Sequence, residues 1–312
     1  MDFQSYWEEL LEDRMKLRKK RLLHKLDPKK LGLEISPLYS PITDKNIHNV
    51  EYTDYTSAEE SRRKHADYVH DEIMDLNFIW DQDLHLYDCA GGKEKYSWAI
   101  ASHVLEHVPN PIGWMNEIFD VIGDGGYLSL ALPDPSFTSD LYRETTKFHH
   151  VLDAWMNRYS IPSTYQLYDF IRNTTSQGVT ATASPRERHY PPQEALSFCM
   201  HAWSTGEYID AHCNVFTPVS FEDLIHEANL HGIMNVEIDD IASGDREFYV
   251  RIKKKGSPSV LPPLRSETGS EDKSELNHLK KAFKESIDAQ NELKVEIERL
   301  KNRSLLKRIF NK

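Results

Sequence analysis

The strongest constraint on this chain is an alternation of patterns. Five short runs rich in apolar, β-branched and aromatic residues occupy LGLEIS (31–36), NVEYTD (49–54), NFIW (77–80), YSWAIAS (96–102) and YLSLALP (127–133). Helical patterns at 57–73 and 111–122 fall between them. Two more strand-like runs, NVEID (235–239) and EFYVRIK (247–253), come late and close together. Strands alternating with helices at this spacing build right-handed βαβ units, and two neighbouring late strands build a hairpin. The expected fold class is α/β: a doubly wound, mostly parallel sheet with an antiparallel hairpin at one edge.

Four zones flank and include this body. Residues 1–28 read as an amphipathic helix, with Phe3, Trp7, Leu11, Met15, Leu22 and Leu26 on one face and Asp27-Pro28 ending it. The body spans 29–255. A segment rich in Ser, Pro, Gly and charge, 256–274, reads as a linker. From 275 to 312 a helical pattern returns without Gly or Pro. Within it Leu279, Phe283, Leu293, Ile297 and Leu300 follow a three-four spacing, a short coiled-coil seam interrupted at Ser286 and Gln290. The end, 299–312, carries six basic and no acidic residues around Leu305, Leu306, Ile309 and Phe310. That pattern suits weak, peripheral contact with an anionic membrane surface, or ordinary basic side chains at a helix end.

Composition narrows the function classes. A net charge of −12 over 312 residues excludes a nucleic-acid binder with a basic surface throughout. No run approaches the ~18–20 apolar residues of a membrane-spanning helix, and the N-terminus is charged where a secretory signal carries its apolar stretch. Cys89, Cys199 and Cys213 form no CxxC pair, so neither a disulfide framework nor a zinc ribbon is expected. The expected location is cytoplasmic, with the tail allowing contact with the inner face of the membrane.

In a doubly wound sheet, ligands bind beyond the carboxyl ends of the strands, near the point where strand order reverses. Glu34 ends the first run here, Asp54 the second, and Asp81, with Asp83 as its alternative, follows the third. Carboxylates at three successive strand ends suit a ligand with a ribose diol and a cationic amine. A phosphate ligand would call instead for glycine-rich amides and a lysine. A simpler role for Asp54 is to cap the next turn.

The segment YSWAIASHVLEHVPNPIGWMNEIFDVIGDGGYLSLALPDP (96–135) resembles the fourth and fifth strands of the class I S-adenosylmethionine-dependent methyltransferases. LEISPLYSPI (33–42), YTDYTSAEE (52–60) and GEYIDAHCNVFTPVSF (206–221) resemble, more narrowly, a bacterial subgroup associated with glycosyltransferases of cell-surface polysaccharide synthesis. The likeness covers residues 30–253. It implies a Rossmann-like seven-stranded sheet and S-adenosylmethionine as cofactor. Glu34 would face the methionine end, Ser36 and Pro37 would line the first motif, Asp54 would accept from the ribose hydroxyls, and Asp81 would lie near the adenine. Ser102 and His103 would border the methyl-transfer locus. The family carries glycine where Ser36 stands, and a Cβ in a left-handed conformation costs roughly 1 kcal/mol or more.

For an O-directed transfer the acceptor hydroxyl must lose a proton, and His103, His107, Asp210 and His212 are the candidates. Cys213 reads as a small apolar filler. His103 and His107, four apart, invite a metal on one helical face. With no third ligand nearby in sequence and Glu106 pointing elsewhere on a helix, no metal site is expected. Residues 143–205 form an insertion expected to cover the pocket mouth, with Arg186, Arg188, His189 and Tyr190 able to meet a phosphorylated or sugar acceptor. The resemblance implies a sugar or glycan acceptor. The coiled coil implies self-association or a glycosyltransferase partner. A small-molecule methyltransferase and an inactive methyltransferase-like scaffold are the rival readings.

Overall fold

Alternation along each strand decides which face of the sheet a residue serves, and it does so visibly here. The structure is a computed structural model that describes residues 3–64, 73–175 and 190–262. Its elements run α1 (Phe3–Leu22), β1 (Gly32–Ile35), β2 (Val50–Asp54), α2 (Ala58–Lys64), β3 (Phe78–Ile79), α3 (Leu86–Ala90), β4 (Tyr96–Ser102), α4 (Pro111–Val121) and β5 (Ile122–Pro133). They continue with α5 (Phe148–Asn157), α6 (Thr164–Asn173), α7 (Pro192–Thr205), α8 (Pro218–Leu230), β6 (Val236–Ser243) and β7 (Glu247–Lys254). The described residues hold one seven-stranded sheet in the order β3-β2-β1-β4-β5-β7-β6. Strands β1 to β5 pair in parallel, while β7 is antiparallel to both β5 and β6. This is the doubly wound, Rossmann-like sheet with an edge hairpin that the sequence pattern predicts.

Leu33 and Ile35 of β1, Ala99 and Ala101 of β4, and Leu128, Leu130 and Leu132 of β5 bury in one cluster with side chains of α3, α4, α5 and α8. The intervening positions serve the other face. Trp98, Ile100 and Tyr52 pack there with Leu22 of α1 and Ile42 of the β1–β2 connection. Gly32 is required by this second packing: a Cβ there would stand 2.2 Å from the Trp98 ring. The indole is held in turn by a hydrogen bond from Nε1 to the Asp27 carbonyl at 3.0 Å. At the start of α4 the Asn110 side chain accepts from Gly113 N at 3.0 Å, with Pro111 in the first helical turn, a start signal legible in the sequence.

Three features lie beyond what the sequence pattern specifies. Residues 36–49 cross from β1 to β2 as a series of turns, so α1 and this connection cover a face that a crossover helix would otherwise fill. The expected lid over 143–205 divides. Val151 and Trp155 of α5 join the main core, whereas α6 and α7 bury Leu167, Ile171, Ala195, Cys199 and Ala202 in a small cluster of their own. The first residues of the expected linker are anchored, since Ser259 N and Val260 N both donate to the Gly232 carbonyl. Arg186, Arg188, His189 and the whole of 275–312 lie outside the described residues. No helix among the described residues is long and apolar enough to cross a membrane.

Candidate active site

Strand order reverses between β1 and β4, so the carboxyl ends of these two strands open the crevice where a doubly wound sheet binds its ligand. The backbone is strained there. Ser36 (φ 54°) and Leu38 (φ 44°) after β1, and His103 (φ 56°) after β4, all occupy the left-handed region, which costs a non-glycine residue roughly 1–2 kcal/mol. Such conformations concentrate where function over-determines the chain. Pro37, between the first two, is buried. Ser36 uses its side chain: Oγ donates to Asp54 Oδ1 at 2.9 Å, and Tyr55 N donates to the same oxygen at 2.7 Å. Ser36 therefore fixes the acidic end of β2. Ser102 Oγ, at the end of β4, is buried with no hydrogen-bond partner among the described residues.

Two acidic residues differ from expectation. Glu34 was expected to face a ligand, but its place between Leu33 and Ile35 turns it to the opposite face. Its carboxylate accepts from Ile42 N at 2.7 Å and Thr43 N at 2.9 Å, and it is only 2% exposed. Burial pushes its carboxyl up despite these bonds. Glu34 shapes the β1–β2 connection and is withdrawn from the crevice. Asp81 is exposed and accepts from Asp83 N at 3.0 Å, closing a local turn beyond β3.

His103 points to β7. Its Nε2 lies 2.5 Å from Glu247 Oε2, and Nδ1 lies 3.4 Å from Glu106 Oε1. Burial pulls its pKa down, but Glu106 and Glu247 more than offset this and bring it to about 9. Both ring nitrogens of His103 face carboxylates, which favours the charged imidazolium. Glu247 also receives Arg18 of α1 at 2.7 Å and the Tyr249 hydroxyl at 2.6 Å. Burial would raise its carboxyl, yet His103, Arg18 and Tyr249 hold it at about 2. Because this folded-state pKa lies below the unfolded value of 4.5, its contribution is present above pH 4.5 and fades toward pH 2. Glu247→Gln should lose roughly 3 kcal/mol of stability at neutral pH. In urea titrations the gap to wild type should narrow as pH falls below 4.5; a gap independent of pH would refute the ionic account.

The third group lies on the other side of β4's end. Residues 105–107 form a single 3-10 turn, rather than the helix start expected, and this brings Glu106 and His107 together. The 208–216 segment is tied beside them: Asn214 N donates to the Glu106 carbonyl and its Nδ2 to the Val108 carbonyl at 2.7 Å. His107 Nδ1 meets Asp210 at 2.9 Å, and His212 Nδ1 meets the buried Asp140 at 2.5 Å. The two rings meet edge to face, with centroids 4.6 Å apart. Burial lowers the His107 pKa, but Asp210 reverses the effect and leaves it raised. Burial works to raise Asp140, yet His212 and Arg143 hold it below the usual carboxylate range. Exposed Tyr208 donates to Asp210 at 3.2 Å and lies 6.3 Å from Tyr55, which follows Asp54. The β2 rim and the histidine pair thus share one mouth. Cys213 is buried and its thiol is pushed up to about 12, as suits a filler.

The structure therefore brings the candidates His107, His212 and Asp210 together and sets His103 apart from them. Sequence reasoning missed Asp140, Arg143, Glu247 and Arg18. None has a motif around it; each is recruited from a distant element by charge.

Comparison with known proteins finds similar solved structures and one family model. Among solved structures, a SAM-dependent methyltransferase from Mesorhizobium loti is 10% identical, with 78% of this chain and 100% of that one covered at a TM-score of 0.42. One from Aquifex aeolicus is 9% identical, covering 80% and 98% at 0.37. The CurJ carbon methyltransferase is 13% identical at 0.37; 75% of this chain aligns, spanning about half (51%) of that protein. No curated protein sequence matches. A family model described as a methyltransferase domain matches residues 7–234, starting inside α1 and not at residue 30. That match takes in the β1–β4 crevice, its acidic rim and the histidine pair, and on it the chain belongs to the methyltransferase domain family.

Proposed function

We propose that this protein is an S-adenosylmethionine-dependent O-methyltransferase acting on a sugar or glycan intermediate of cell-surface polysaccharide synthesis. Three features of the crevice fit the cofactor: Asp54 at the end of β2, the buried unpartnered Ser102 Oγ, and the left-handed turn at Ser36 that carries the backbone around the first motif. Glu34 offers nothing to it. When bound, S-adenosylmethionine supplies an electrophilic methyl group whose bond to sulfur breaks as the bond to the acceptor oxygen forms. Asp54 would hold the ribose hydroxyls by charge-assisted hydrogen bonds. His107 and His212, each oriented by a carboxylate, would receive the acceptor's proton. The observation that carries the acceptor class is the mouth itself. Carboxylate–histidine pairs beside the exposed Tyr55 and Tyr208 rings suit a polyhydroxylated ring, whose hydroxyls need acceptors and whose C–H face needs an apolar platform. The C-terminal seam would tether the enzyme to a second copy or to a glycosyltransferase.

The test is transfer of labelled methyl from S-adenosylmethionine to extracted cell-surface glycans, with the product read by NMR as a methoxy group. Label in glycan oxygen supports the reading. Label only in unrelated small molecules favours the small-molecule enzyme, and no binding of S-adenosylmethionine or its demethylated product favours the inactive scaffold.

A further inference from the structure

We propose that Glu106, His107 and His212 form a binding site for one divalent first-row transition metal at the acceptor mouth. Each offers a ligand atom, and these atoms lie within 4.8 Å of one another. Two imidazoles and one carboxylate make a set of three protein ligands with open positions, which is how catalytic rather than structural metal sites are built. The imidazoles favour zinc, copper, iron or nickel over magnesium.

Two independent observations point the same way. Glu106 has a side chain only 3% exposed, yet its Oε2 has no hydrogen-bond partner among the described residues. A buried carboxylate oxygen left unpaired is costly, and a cation would satisfy it. Second, each ring is already held at Nδ1 by a carboxylate, His107 by Asp210 and His212 by Asp140. A carboxylate on one ring nitrogen orients the ring and raises the basicity of the other, the outer-shell arrangement of metal-binding histidines. Nε2 is the nitrogen each ring retains for a ligand. The route in is open, since the His107 and His212 side chains are 32% and 20% exposed.

The site deepens, and in its role rests on, the acceptor reading above: a metal here would bind the acceptor hydroxyl and lower its pKa, so that its proton leaves to solvent, with His107 and His212 then serving as ligands in place of proton acceptors. Its existence as a metal site stands apart from that role and can be tested separately. The full chain, stripped with chelator, is titrated with cobalt(II) and its visible d–d absorption recorded. One cobalt per chain is expected, displaced by zinc. His107→Gln and His212→Gln should each abolish the band. Asp140→Asn, which leaves all three ligands in place, should weaken cobalt binding roughly 10- to 100-fold. Circular dichroism identifies any variant that fails to fold, and His107→Gln, at the more exposed position, keeps the test decisive. Cobalt binding that survives both glutamine variants would assign the metal elsewhere, for example to the adjacent His149 and His150 rings, and would overturn the proposal, as would no binding at all. Calorimetry with S-adenosylmethionine on the same samples separates the outcomes. Cobalt without cofactor binding sinks the methyltransferase reading and leaves the metal site; cofactor without cobalt does the reverse.

Discussion

Alanine at Asp54 is expected to weaken binding of S-adenosylmethionine by roughly 10- to 100-fold, because a hydrogen bond to an ionised group contributes about 1.5–3 kcal/mol and each 1.4 kcal/mol is tenfold in affinity. Asp54 is 3% exposed, ends β2 beside the crevice, and is fixed by Ser36 Oγ and Tyr55 N. A carboxylate held in this way has its orientation set before a ribose arrives, so little entropy is lost when the ligand binds. Asp54→Asn keeps the shape and removes the charge, and it should fall between wild type and alanine. Calorimetry with S-adenosylmethionine and with its demethylated product reads both, with thermal unfolding as a check that the variants are folded. Wild-type affinity in folded alanine and asparagine variants would place the ribose away from β2.

Trp98→Ala should be the most destabilising single change away from the crevice, costing roughly 3–5 kcal/mol. The ring is 1% exposed, fills the space left by the missing Cβ of Gly32, and bonds the chain that leaves α1. Its neighbours cannot collapse into the gap, since β1 and β4 are locked in register from Gly32–Trp98 to Ile35–Ala101. For a protein of this size that loss lowers Tm by roughly 10 °C. Val219→Ala, at a position 68% exposed, should change stability by no more than about 0.5 kcal/mol. A loss below about 1 kcal/mol for Trp98→Ala would mean that α1 and the β1–β2 connection contribute little to the second core.

Much of the architecture was legible in the chain because it follows from local periodicity. Strand β4 lies where its apolar run predicts, and α4 begins at its Asn-Pro signal. Strand-end carboxylates mark the rim because the topology always brings the carboxyl ends of parallel strands to one edge. Glu34 shows where this reasoning failed. Being a strand-end acid was not enough, since its parity with Gly32 sends it to the face covered by Ile42 and Thr43. The place of the insertion was not legible for a different reason. Whether α5 covers the core or the mouth depends on Val151 and Trp155 reaching the α4 layer, which no local pattern encodes.

What the sequence determined by itself is the set of relations between near neighbours: strand order within each βαβ unit, the acidic strand ends, and the glycine-like turn at Ser36. These are decided by sterics and by periods of 2 and 3.6 residues. Only the tertiary structure decided which histidine meets which carboxylate. His107 and His212 are separated by more than a hundred positions and meet because Asn214 binds backbone carbonyls on either side of His107. Arg18 finds Glu247 because α1 packs across β5 and β7. Charge acts over a few ångströms of space, and no spacing along the chain encodes which distant residues the fold will bring within that reach.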